Sequence, residues 1–225
     1  MKVFALIMAA GSGKRMGGSV KKQFLKLADK EILSHTLETF DRCSAVDGIV
    51  IVTSADEKDH VKELSANMSK VICITEGGSE RQYSVLNGLR ILKECDIVLI
   101  HDGVRPFVRQ EDILTCIWTA QSYGASVLGV PVKDTVKVCN AEGEITATPD
   151  RKTLWLAQTP QAFKYDIIMK AYEYAEKENF LGTDDASVVE RYGIKVKMVM
   201  GNYNNIKITT PEDLILGNAI IARMQ

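Results

Sequence analysis

Five short runs, Val3–Ala9, Ile49–Thr53, Val71–Thr75, Ile97–His101 and Ser126–Val130, are almost unbroken by polar residues. Strands buried on both faces read this way, whereas half-exposed strands alternate. Helix-spaced segments lie between them. Ile32, Leu33, Leu37 and Phe40 make one stripe, Val85, Leu89 and Leu92 a second, and Ile113, Leu114, Ile117 and Trp118 a third. Ser79 stands where a helix cap belongs, just before Glu80. Strands alternating with helices need crossover connections, so the expected class is α/β with a doubly wound, mostly parallel, Rossmann-like sheet. Ligands of such sheets sit outside the carboxyl ends of the strands.

The rhythm changes after Pro131. Val132–Cys139 and Ile145–Thr148 are β-rich and flank the turn signal Asn140-Ala141-Glu142-Gly143, and the extended run Thr153–Gln158 follows. Residues 132–158 therefore read as an arm projecting from a single domain that spans 1–225. Helical spacing returns at Tyr165–Lys177 and Asp184–Tyr192. A strand is expected at Lys195–Met200, and Pro211 marks the start of a last helix.

Composition narrows the chemistry. Among 225 residues, 28 Lys and Arg against 29 Asp and Glu leave a net charge of -1, which argues against a nucleic-acid surface. Phosphate chemistry must then rest on a few locally gathered cations. The cysteines at 43, 73, 95, 116 and 139 are scattered, as expected of a reduced, cytoplasmic protein. Lys2 and the apolar run behind it mimic a short signal peptide, but they lead into a glycine loop, which favours a first buried strand. No run approaches membrane-spanning length.

Two motifs carry the chemistry. In Ala9-Ala10-Gly11-Ser12-Gly13-Lys14-Arg15-Met16-Gly17, the glycines let backbone N–H groups approach an anion, and Lys14, Arg15, Lys21 and Lys22 add charge. A dinucleotide fingerprint wants glycine where Met16 stands and an acid where Thr53-Ser54 occur, and the G-x-x-x-x-G-K-[ST] pattern is absent. A cation-rich glycine loop suited to a triphosphate remains. The second motif, His101-Asp102-Gly103-Val104-Arg105-Pro106, closes an apolar strand. Asp102 there is placed to hold Mg2+ against phosphate oxygens. Arg105 is either a fork for a substrate phosphate or the partner of Asp102 in a turn. His101 reads as a packing residue, and Asp184 and Asp185 as acids opening a helix.

Along its whole length the chain resembles the 2-C-methyl-D-erythritol 4-phosphate cytidylyltransferases. The likeness rests on Ala9–Met16, Lys22-Gln23-Phe24, Gly77-Gly78-Ser79-Glu80-Arg81 with Ser84, and His101–Pro106. It continues through Val132–Thr135, Asp150-Arg151 before Leu154-Trp155, Gln158–Gln161, Thr183–Ser187 and Asn205–Pro211. The resemblance implies a nucleotidyltransferase fold, a cytidylyltransferase using CTP and a sugar-alcohol phosphate with Mg2+, and a homodimer joined through the arm. Arg15 and Lys22 would clamp the triphosphate, with Lys207 reaching the α-phosphate. Ala10, Gly11, Gly78, Ser84 and Gly103 would surround cytosine and ribose, with Gly13 in the same loop. Asp102 would help hold the metal, while Arg105, Thr135, Arg151, Thr159 and Lys207 gather round the acceptor, and Arg151 does so in the partner's site. Asn204 replaces a common acid before Asn-Ile-Lys, and Ser79 another near the base. Ribitol 5-phosphate as acceptor, or a non-catalytic nucleotide-binding regulator, are the competing readings.

Overall fold

The computed structural model describes residues 1–11 and 20–223. Its centre is a seven-stranded sheet built from β1 (Val3–Met8), β4 (Gly48–Thr53), β5 (Val71–Glu76), β6 (Ile97–Asp102), β7 (Ala125–Pro131), β10 (Trp155–Lys164) and β11 (Lys197–Met200). The spatial order is β11-β7-β10-β6-β1-β4-β5, and β10 runs antiparallel to both of its neighbours while the remaining pairs are parallel. All six residues of β4 and of β6 are buried, which is why these stretches read as continuous apolar runs.

Helices cover both faces. Beneath one lie α1 (Ile32–Asp41), α2 (Lys58–Leu64) and α4 (Gln110–Tyr123), through Leu33, Leu37, Phe40, Val61, Ile113 and Ile117. Against the other pack α3 (Arg81–Leu89), α5 (Tyr165–Lys177) and α6 (Asp185–Arg191), through Val85, Leu89, Ile168, Tyr172 and Val188. The last helix, α7 (Pro211–Ala222), has Pro211 in its first turn, a Thr210–Asp213 capping box, and a small separate core around Leu27, Ile208 and Ile220. Two short strands, β2 (Lys26–Leu27) and β3 (Lys30–Glu31), pair just before α1.

Three expectations are corrected. The cap residue of α3 is Glu80, whose side chain makes no capping bond, and Ser79 stands outside. The arm is a small hairpin of β8 (Val138–Cys139) and β9 (Ile145–Ala147), but Trp155–Ala157 pair with β7, so these residues belong to the main sheet. The strand expected from Lys195 begins at Lys197. Among the described residues, no helix is long and apolar enough to cross a membrane.

The strand order fixes where a ligand goes. From β1 the chain moves outward through β4 and β5, then returns to place β6 on the other side of β1. Segments leaving the carboxyl ends of β1 and β6 diverge there and open a crevice.

Candidate active site

A cavity of about 360 Å3 occupies this crevice, walled by Ala10 and Gly11 after β1, Gly78 and Ser84 around the start of α3, and Asp102, Lys22 and Lys207. Backbone dominates one wall. A methyl group on Gly77 would lie 2.8 Å from both Ala10 Cβ and Ser84 Oγ, so only glycine lets the two loops approach this closely. Ser84 Oγ accepts from Gly78 N–H (2.9 Å) and donates to the Glu80 carbonyl (3.0 Å), holding the turn that forms the wall.

Asp102 is the electrostatic focus. Its carboxylate accepts from Lys207 Nζ at 2.9 Å and lies 3.4 Å from Arg105 Nε and 3.9 Å from Arg81 Nε. Burial by itself would raise the Asp102 carboxyl, but the charges of Lys207, Arg81 and Arg105 more than offset it and hold the group well below the ordinary carboxylate range. Asp102 therefore stays ionised at any physiological pH.

A chain of hydrogen bonds fixes this carboxylate from below. Asp102 N–H donates to Thr159 Oγ1 (3.0 Å), which bonds His101 Nδ1 (3.0 Å), while His101 Nε2 bonds the Arg105 carbonyl (3.0 Å). A carbonyl only accepts, so Nε2 carries the proton and Thr159 donates to Nδ1. Burial keeps His101 neutral, pulling its pKa down to about 4. Asn205 ties the segment bearing Lys207 to the same frame: its amide donates to Gln158 Oε1 and to the Thr159 carbonyl, and its own carbonyl accepts from Arg105 (2.8 Å).

Arg81 is the participant that sequence reasoning quoted without assigning a role. Its guanidinium grips the fully buried Asp185 through two bonds of 2.9 and 2.7 Å, and Tyr172 donates to the same carboxylate. The Asp185 charge raises the Arg81 pKa further above its ordinary value. Asp185 opens α6 as expected, behind the cap residue Asp184, but it also anchors a cation in the cavity wall. The only sequence signal was a lone Arg and an Asp far apart in the chain.

The expected site residues divide as follows. Ala10, Gly11, Lys22, Gly78, Ser84, Asp102 and Lys207 line the cavity together. Gly103 turns inward, its N–H on the Met8 carbonyl at 2.9 Å. Arg105 is largely enclosed and Thr159 is buried, and both bond within the protein. Thr135 and Arg151 are exposed on the arm, Arg151 reaching the Lys133 carbonyl (3.0 Å), and neither lines the cavity. Gly13 and Arg15 lie outside the described residues. Lys21, expected to face an anion, is paired instead with Asp56 and Glu57. Among the described residues no three His, Cys, Asp or Glu side chains cluster as a metal cage. The carboxylate of Asp102 facing the cavity is a hard oxygen donor of the kind Mg2+ takes, which typically binds one or two carboxylates plus substrate phosphates.

Known proteins resemble this chain over nearly its whole length. The family model for IspD, 2-C-methyl-D-erythritol 4-phosphate cytidylyltransferase, matches residues 3–223. The enzyme of that name from Geobacter metallireducens is 54% identical over 98% of both chains, and that from Caldanaerobacter subterraneus is 46% identical over 99% of this chain and 100% of its own. The crystal structure of 4-diphosphocytidyl-2C-methyl-D-erythritol synthase from Anaerococcus prevotii superposes with a TM-score of 0.89 at 36% identity, covering 99% of this chain and 96% of its own. The 2-C-methyl-D-erythritol 4-phosphate cytidylyltransferase from Thermus thermophilus gives 0.81 at 30% identity, covering 99% and 100%. A backbone-walled cavity with Asp102 at a strand end and Lys207 upon it thus sits on a scaffold shared with these nucleotidyltransferases, and the chain belongs to the 2-C-methyl-D-erythritol 4-phosphate cytidylyltransferase family.

Proposed function

We propose that the protein transfers CMP from CTP to 2-C-methyl-D-erythritol 4-phosphate, releasing pyrophosphate and forming 4-diphosphocytidyl-2-C-methyl-D-erythritol. The observation that carries this reading is the Lys207–Asp102 pair inside a cavity walled by the backbone of Ala10–Gly11 and Gly78. The family match favours this acceptor over ribitol 5-phosphate, and activity over a purely regulatory role.

The acceptor's phosphate oxygen attacks the α-phosphorus of CTP. One P–O bond forms, the α–β bridging bond breaks, and pyrophosphate leaves with the electron pair. The nucleophile is already anionic, so no covalent enzyme intermediate and no general base are needed, and His101, buried and neutral, supplies none. Catalysis then consists of alignment and neutralisation of charge on the five-coordinate phosphorus. Lys22 and Arg15 neutralise the triphosphate. Lys207, about a third exposed at 37%, turns from Asp102 toward the α-phosphate. Asp102 is the residue that would hold Mg2+, which, when bound, would supply further neutralisation of the triphosphate. The Gly78 and Ser84 wall accepts the base and ribose. Arg105 acts by fixing Asp102 and the Asn205 carbonyl, and its remaining N–H groups serve the acceptor phosphate.

The reading includes a cytoplasmic homodimer in which Thr135 and Arg151 of one arm complete the acceptor site of the other copy. The arm is exposed over nearly its whole length, with Val138 and Ile145 in contact with solvent, and the described cysteines form no disulfide. The test is pyrophosphate release with Mg2+, CTP and each acceptor in turn. Methylerythritol phosphate should turn over fastest; a faster reaction with ribitol phosphate would overturn the assignment.

A further inference from the structure

We propose that Lys21 is a positioning residue: it binds no phosphate, and the salt bridge it forms with the β4–α2 connection sets the place of Lys22 in the cavity. The inference rests on the reading above, in which Lys22 neutralises the triphosphate.

Its basis is the way the segment is pinned. Lys21 is the residue from which a single 3-10 turn, Lys22–Phe24, starts. Its ammonium donates to Ser54 Oγ at 2.8 Å and Asp56 Oδ2 at 2.6 Å and lies 3.1 Å from Glu57 Oε1. An ammonium has three protons, and these three oxygens account for them. Its side chain is only 23% exposed. On the other side of Lys22, the fully enclosed Gln23 donates to the Ala9 carbonyl at 2.7 Å. Phe24 is buried with its ring edge-on to His60 of α2, at 4.8 Å between centroids. Residues 21, 23 and 24 thus grip three separate parts of the fold, the end of β4, the end of β1 and the helix α2. Lys22 is the one residue of this short stretch that, besides Gln23, reaches the cavity wall.

A point charge reaching a phosphate from a long side chain is only as well placed as its Cα. The Gln23 and Phe24 anchors fix one side of it, and the Lys21 bridge fixes the other, where the chain leaves the glycine loop. Releasing that bridge lets the Lys22 backbone swing about the Gln23 anchor. A shift of order 1 Å in a reacting group is worth up to ~10²-fold in rate.

Charge makes the alternative role distinguishable by sign. Were Lys21 a phosphate ligand, its two carboxylate partners would compete with CTP, and removing them would tighten nucleotide binding. As a positioning residue it fails when either side of the bridge is lost. Three variants are compared with the parent protein by steady-state kinetics in CTP: Lys21→Met, Asp56→Asn/Glu57→Gln, and the two combined. Each of the first two should lower kcat by about tenfold, and the combination should add little, since the groups act as one unit. Lys21→Arg, which keeps the bridge, should restore most of the rate, and thermal midpoints separate loss of fold from loss of placement. An unchanged kcat in the acid-to-amide variant, or a lower KM for CTP, overturns the proposal. Lys22→Ala, run alongside, tests the underlying reading: full activity there would refute the role of Lys22 whatever Lys21 does.

Discussion

Lys207 and Asp102 form a 2.9 Å ion pair that joins the segment before α7 to the end of β6. The cation proposed to reach the α-phosphate is therefore stored on the carboxylate proposed to meet the metal. Lys207→Ala should lower kcat by ~10²–10³, the usual effect of losing one donor at a developing charge. Stopped assays of pyrophosphate release measure it. A raised KM with unchanged kcat would assign Lys207 to ground-state binding.

The Arg81–Asp185–Tyr172 cluster supports a stability prediction. Arg81→Met leaves the carboxylate of Asp185 buried with no cation, and removing one partner of such a pair costs about 3–5 kcal/mol. Arg81→Met combined with Asp185→Leu should recover much of that loss, because no charge is stranded. Urea denaturation of the single and double variants decides it, and additive losses would contradict the pairing.

His101 makes stability depend on pH. Its folded pKa of about 4 lies below the ordinary value of ~6.5, so between these limits the unfolded chain binds more protons. The contribution is fully present above ~6.5 and is lost as pH falls toward 4, on the order of 3 kcal/mol in all. His101→Asn should flatten that slope in urea midpoints measured from pH 7 to 5, whatever it does to the absolute stability. An unaltered slope would mean that other groups carry it.

Subunit mixing tests the arm. Arg15→Ala chains and Arg151→Ala chains, each inactive alone, are co-expressed and the heterodimer isolated. If Arg151 works across the interface, one site combines an intact loop with an intact arm and activity returns. If it works within its own chain, every site carries one defect and the heterodimer stays dead.

Much of the sheet was legible because β1, β4, β6 and β7 are largely buried and say so in almost unbroken apolar runs. β10 was not, since Gln158, Thr159, Pro160 and Gln161 interrupt it. Those polar groups are buried but satisfied: Gln161 bonds Asp184 and the Ala186 N–H, and Thr159 bonds His101. A strand that serves as a hydrogen-bonding frame for a site loses the very pattern by which strands are recognised. Asp102 stood out as an acid at a strand end and lines the cavity, whereas Gly78 was expected there only through the family resemblance. Arg81 and Lys21 escaped because a cation's role is set by its partner. Asp185 is brought to Arg81, and Asp56 to Lys21, only by the fold.

Placement of β10 between β6 and β7 also governs the order in which the molecule can be completed during synthesis. β6 and β7 are made earlier in the chain, yet neither meets the other; each waits for residues 155–164 to be inserted between them. Without β10, the strands β5, β4, β1 and β6 would form a parallel half-sheet whose β6 edge has no partner. Asp102 sits at the end of that open strand, and Lys207 has yet to leave the ribosome. The strand that joins the two halves of the sheet and the site's own counter-ion therefore arrive late, with β11 made between them, so no fragment that stops short of Lys207 contains the assembled centre.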